Sequence, residues 1–163
     1  MQATSTVLAP GRSTALACAV ASAVGTAAAI AVLPWAYYGS IEMLLFRFPG
    51  WGWYVAAAVV FHATLLWQLM APARRLGLVA GGVTGLLTIV SALAVASEYD
   101  DPLNFFDGIY PAVGPAVGPG AHIAVISAVV GIIGVVFARP APGSTPGGPT
   151  SLPSAGSRGG TGR

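Results

Sequence analysis

Residues 76–97 read LGLVAGGVTGLLTIVSALAVAS, and this stretch decides the fold. It carries no charge and exceeds the ~20 residues that an α-helix needs to cross the hydrocarbon core of a bilayer. It lacks the alternation of a barrel strand, and a backbone in lipid must satisfy its own hydrogen bonds, so the stretch predicts a membrane-spanning helix. Working outward, three more uncharged runs have the same character: Ser13 to Ala36, Trp51 to Ala71 and Pro119 to Ala138. Together they predict an all-α fold, a four-transmembrane-helix up-down bundle over residues 13–138, with the helices at 13–36, 51–71, 76–97 and 119–138.

Composition agrees with that reading. The 163 residues are 55% hydrophobic and 7% charged, against roughly 25% charged in a soluble domain. The net charge of +2 is spread over helix ends and the tail, which orients a chain in a membrane and excludes a nucleic-acid footprint. With one cysteine, Cys18, the chain has no intrachain disulfide and no CxxC motif. Ala15-Leu16-Ala17-Cys18 has the look of a lipoprotein cleavage site, but the apolar stretch from Arg12 to Cys18 is shorter than a signal core of about 7 to 15 residues. The first helix is therefore expected to stay.

Arginine sets the expected orientation. Arg12 precedes the first helix, Arg74 and Arg75 fill the second connection, and Arg139 follows the fourth helix, so both ends are expected in the cytoplasm of a cell-membrane protein. The other side holds Arg47 and every acid: Glu42, Glu98, Asp100, Asp101 and Asp107. Trp35, Tyr37, Tyr38, Trp51, Trp53 and Tyr54 are expected as interfacial anchors there, and Trp67 at the inner interface. The short connection Pro72–Arg75 makes helices two and three antiparallel neighbours. The first outer loop, Ser40 to Phe48, is expected to lie along the interface as a short helix. The apolar side chains of the longer segment 98–118 are expected to dock on something. Residues 1–12 form a cytoplasmic N-terminus. Residues 139–163, rich in Pro, Gly, Ser and Thr, cannot bury enough surface to offset chain entropy and are expected to be a disordered cytoplasmic tail.

Gly77, Gly81, Thr84, Gly85, Thr88 and Ser91 share one face of the third helix, and Ala124, Ser127, Gly131 and Gly134 form a matching stripe on the fourth. Apolar side chains gain little by leaving lipid for protein, so small residues that admit close backbone approach mark packing faces. The same hydroxyls could line a narrow polar path. His62 is the ionisable residue deep in an apolar run and a candidate intramembrane polar site. A neutral imidazole bonded to a neighbouring hydroxyl or carbonyl, with Thr26, Thr84, Thr88 and Ser91 in reach, is the structural account. Haem between His62 and His122 is disfavoured. At 1.5 Å per residue the two lie about 16 and 5 Å from the outer helix ends, so they cannot face one iron. Asp100, Asp101, Asn104 and Asp107 do not have EF-hand spacing and read as a solvated loop. No catalytic motif is present, and neither a catalytic residue, a metal nor a cofactor is assigned.

Gly118-Pro119-Gly120-Ala121-His122-Ile123-Ala124 leading into Gly131 and Gly134 resembles the fourth helix of small four-helix actinobacterial membrane proteins of unknown function. The resemblance implies a setting in the membrane and brings no site residues. The sequence thus points to a non-enzymatic accessory or scaffold subunit, with the lipid bilayer and a membrane-protein partner or a second copy as its contacts. The alternatives are a small oligomeric transporter or channel built on His62, and an outer-face enzyme or redox protein using His122 and the loop carboxylates.

Overall fold

The computed structural model describes residues 10–70, 75–106 and 112–138. It contains four long helices, α1 (Pro10–Ala31), α2 (Trp51–Met70), α3 (Arg75–Ala96) and α4 (Pro119–Phe137), and three short strands, β1 (Pro34–Tyr38), β2 (Ile41–Leu44) and β3 (Pro115–Val117). All four helices include a span long and apolar enough to cross a membrane. The expected N-terminal segment up to Ala9, the tail from Arg139, and the side chains of Arg74 and Asp107 lie outside the described residues.

The α1–α4 contact is the most extensive, α2–α3 and α3–α4 follow, and α1 touches α2 sparingly. Neighbours run antiparallel. A Cβ built at Gly134 would lie 2.8 Å from the Cys18 Cβ, one at Gly131 would meet Ser22 Oγ at 2.8 Å, and one at Gly25 would collide with Ser127. Partner numbers fall on α4 as they rise on α1. On α1 the positions Ala15, Cys18, Ser22 and Gly25 that meet α4 are spaced by three, four and three, the period of a left-handed supercoil seam. Bulky side chains point outward instead: Val20, Val24, Val59, Leu66, Leu86 and Ile126 are exposed, while Ala29, Ala58, Ala92, Ala124 and Ala128 are buried. Small residues inside and large aliphatic ones outside are what lipid-facing helices require.

The structure corrects two expectations at the acidic end. The first helix stops at Ala31 instead of Ala36. Pro34 disfavours helical conformation at Leu33, and the chain turns into β1. The loop 40–48 is not a short interfacial helix: β2 pairs antiparallel with β1 across the connection Gly39-Ser40, and a single 3-10 turn, Leu45–Arg47, follows. Gly39 has φ of 64°, a conformation that costs glycine little. The segment after α3 adds two 3-10 turns and then β3, which pairs with the other edge of β1. The resulting sheet has the order β2-β1-β3.

Trp35 and Tyr38 are consequently buried and not interfacial anchors, and Tyr54 is buried with them. Trp35 packs edge-on against Tyr54 with ring centroids 5.1 Å apart, and Phe48 meets Phe105 at 4.9 Å. Such pairs contribute about 0.5–1.5 kcal/mol beyond area burial. The Trp35 indole N–H donates to Ala29 O at 2.7 Å, satisfying one of the carbonyls that a helix C-terminus leaves without a partner. Gly118 N–H donates to Trp35 O at 2.8 Å, and a Cβ at Gly118 would overlap the Pro34 carbonyl. Because that neighbour is backbone, Gly118→Ala is expected to part β3 from β1 and cost about 1–3 kcal/mol. Gly114→Ala, which meets nothing within 4 Å, is the control. Thermal unfolding in detergent should show a lower midpoint for the first variant and an unchanged one for the second.

Candidate functional site

Two places gather polar side chains. The first lies within the helices. His62 Nδ1 is 2.8 Å from Ala58 O, one turn earlier on α2, and Nε2 is 3.3 Å from Ser22 Oγ on α1. A carbonyl only accepts, so Nδ1 carries a proton. In the neutral ring Nε2 then accepts from the Ser22 hydroxyl. Ser22 is fully buried and packs over Gly131, whose missing side chain leaves room for the hydroxyl and for the Phe61 ring. The hydroxyls expected to serve His62, namely Thr26, Thr84, Thr88 and Ser91, do not do so. Thr84 and Thr88 bond back to Ala80 O and Thr84 O on their own helix, as hydroxyls in apolar helices commonly do.

The sequence-predicted faces divide. Gly77, Gly81 and Gly85 are buried, and Cβ atoms there would press on Gln68, Val135, Ile132 and Phe61. Ala124, Ser127, Gly131 and Gly134 are buried too, but Ser127 and Gly134 meet α1, and Gly131 meets Ser22 of α1 and Phe61 of α2, so this stripe is not the mate of the α3 stripe. Thr88 is buried, whereas Thr84 and Ser91 line an outward-facing hollow with Trp53, Ala57 and Leu87. Sequence reasoning missed Gln68, which is buried and donates through Nε2 to Gly77 O. The signal was available: a lone amide in an apolar run, near a glycine-rich partner helix one tight connection away. It also missed the small-residue seam of α1, hidden among that helix's many alanines.

The second place is the sheet-capped end, where Glu42, Glu98, Asp100 and Asp101 collect. Asp101 Oδ1 accepts from Leu103 N–H at 3.0 Å, and Glu98 Oε2 accepts from Asn104 Nδ2 at 3.0 Å. The buried Tyr38 hydroxyl donates to Tyr99 O at 2.6 Å. Burial first, then the nearby Asp100 and Asp101 charges, push this phenol above its ordinary range and keep it a donor. His122 sits exposed in the first turn of α4 with Nδ1 3.1 Å from Gly118 O, far along the fold from His62. Among the described residues no group of three or more His, Cys, Asp or Glu is placed to hold a metal ion. The Tyr54 hydroxyl, buried beside Thr26, has no hydrogen-bond partner of normal geometry among the described residues.

The Ser22–His62 bond is expected to couple α1 to α2 by about 0.6 kcal/mol, the mean for interhelical bonds in membranes. A double-mutant cycle of Ser22→Ala and His62→Leu, read by reversible unfolding in mixed micelles, should return that coupling. A value of zero would show that the contact contributes nothing. No family model matches the chain, and comparisons with curated proteins and with solved structures found no match.

Proposed function

We propose that the chain is a multi-pass membrane protein, an up-down four-helix bundle with both ends in the cytoplasm, acting as a non-enzymatic accessory subunit that binds another membrane protein through its sheet-capped outer end. The observation that carries this reading is the partition of the surface. Inside the helices Gly25, Gly131 and Gly134 and the polar groups of Ser22, His62 and Gln68 are spent on contacts within the chain. The capped end instead displays Ile41, Leu44, Phe46 and Trp51 as an exposed rim beside the acids, with Phe46 and Trp51 stacked edge to face at 4.9 Å. Aromatic groups held rigid on an ordered scaffold are characteristic anchors of protein interfaces. Orientation rests on arginine: Arg12, whose guanidinium donates to Leu69 O at 3.2 Å, lies at the opposite end from the sheet, along with Arg75 at the start of α3.

The transporter alternative needs His62 and the hydroxyl stripe to line a path. The bonds of His62 to Ser22 and Ala58, and of Thr84 and Thr88 to their own helix, favour the accessory reading. The outer-face enzyme alternative relies on His122 and carboxylates, of which Glu98 and Asp101 support local turns.

The test is purification of a C-terminally tagged copy from its native host, at native expression level, in mild detergent. A membrane partner is expected in reproducible stoichiometric amount, and the double substitution Ile41→Ser, Phe46→Ser should lower its recovery about tenfold, as loss of an interface anchor does. Recovery of the tagged chain alone would contradict the accessory reading.

A further inference from the structure

Two hollows on the outward face between α2 and α3 join into one groove. The upper, of about 490 Å³, is bordered by Pro49, Gly50, Trp53, Ser91, Glu98 and Asn104 among others. The lower, of about 270 Å³, shares Trp53 and Ser91 and continues past Ala56, Ala57, Val60 and Thr84. Their sizes are near the roughly 300–1,000 Å³ of ligand sites. From Glu98 to Thr84 the groove follows α3 for about 21 Å at 1.5 Å per residue, more than the ~15 Å depth of one leaflet's hydrocarbon.

The groove is amphiphilic along its length. Its floor and lower walls are alanine, valine and leucine, while a carboxylate stands at its mouth. Among the described residues no cation forms an ion pair with Glu98, whose carboxylate accepts from the Asn104 amide. Asn104 spends an N–H on that bond and keeps its amide oxygen as an acceptor. Ser91, where the two hollows meet, makes no hydrogen bond among the described residues. Trp53 stands almost free along the wall, 79% exposed.

We infer that this groove binds one outer-leaflet lipid with a primary-amine headgroup, its acyl chain lying between α2 and α3 and its ammonium donating to the Glu98 carboxylate and the Asn104 amide oxygen. Charge complementarity selects the head: a phosphatidylglycerol anion meets a like charge, and the trimethylammonium of phosphatidylcholine has no N–H to donate. A charge-assisted hydrogen bond to an ionised acceptor is about twice as strong as a neutral one. The apolar length of the groove selects a lipid over a soluble amine. This inference rests on the membrane reading above and is independent of any protein partner.

The full-length protein is purified in mild detergent, mixed with equal amounts of phosphatidylethanolamine, phosphatidylcholine and phosphatidylglycerol carrying identical chains, and examined by native mass spectrometry. One phosphatidylethanolamine is expected per chain, exceeding each competitor about tenfold, the ratio that 1.4 kcal/mol provides. Glu98→Gln, which keeps an acceptor for Asn104 but removes the charge, should erase the preference. Ala57→Phe should fill the groove and reduce retention of all three lipids. Equal retention of the three headgroups by the unmodified chain would overturn the inference, as would an undiminished preference in Glu98→Gln. So would a dimer that Ala57→Phe dissociates, since a second copy would then cover the groove. If Ala57→Phe does not fold, the Glu98→Gln comparison decides alone. Recovery of the chain in the aqueous fraction before any detergent is added would instead overturn the membrane reading.

Discussion

The close approach of α1 to α4 is the constraint on which the rest of the structure depends. Gly25, Gly131 and Gly134 bring the two backbones so near that side chains at those positions would overlap Ser127, Ser22 and Cys18. On the membrane reading proposed above, no hydrophobic force draws Leu to Leu in lipid, so dispersion between close backbones and a few hydrogen bonds must do the work. α4 is where most of it is done: it touches α1 along its length, α3 through Ile132 and Val135, and α2 through Gly131 against Phe61. The same contact sets Ser22 in place for His62. The polar pair is thus a product of the packing and does not direct it.

From the α1–α4 seam the outer end follows. Where α1 ends, Pro34 and Trp35 lie directly against Gly118 and Gly120 at the start of α4, close enough that a Cβ at either glycine would strike them. That contact seats β1 between β2 and β3. The capped end then uses a different packing chemistry. Trp35, Tyr38, Phe48 and Tyr54 fill it with large rings, buried almost completely, whereas the interhelical core below sets many alanines, glycines and hydroxyl side chains around a smaller cluster of Phe61, Leu65 and Val135. Rings are suited to the cap because burying them from water is favourable. On the membrane reading proposed above, small residues suit the segment below because there the competitor is lipid.

How much of this the sequence revealed follows the same division. The four helices were legible because an uncharged run of membrane length has few alternatives, and their bounds differ by a few residues except at Ala31, where Pro34 gave a signal that the apolar composition of Trp35 and Ala36 masked. The strands were not legible. Trp35, Tyr37 and Tyr38 fit an aromatic belt as well as a strand, and Ile41 to Leu44 alternates over too few residues to separate it from an interfacial helix. Pairing with β3, some 80 positions away in sequence, is a tertiary fact that local pattern cannot contain. The glycines of α3 stood out against large neighbours, but the seam of α1 did not, because Ala, Ser and Gly are also its background. His62 was visible as the one ionisable group at depth; its partner Ser22 was not, since several hydroxyls on three helices were equally eligible.

The cysteine on α1 offers a direct measurement of the α1–α4 register. A Cβ at Gly134 lies 2.8 Å from the Cys18 Cβ, so a movement of about 1 Å reaches the ~3.8 Å separation of a disulfide. Ile133 is its sequence neighbour at nearly the same depth but faces outward. Membranes carrying Gly134→Cys or Ile133→Cys are oxidised with copper phenanthroline, and the intact mass is read for the loss of two hydrogens within one chain. The account predicts an intrachain disulfide in Gly134→Cys and none in Ile133→Cys; a reduced Gly134→Cys beside a crosslinked Ile133→Cys would contradict it.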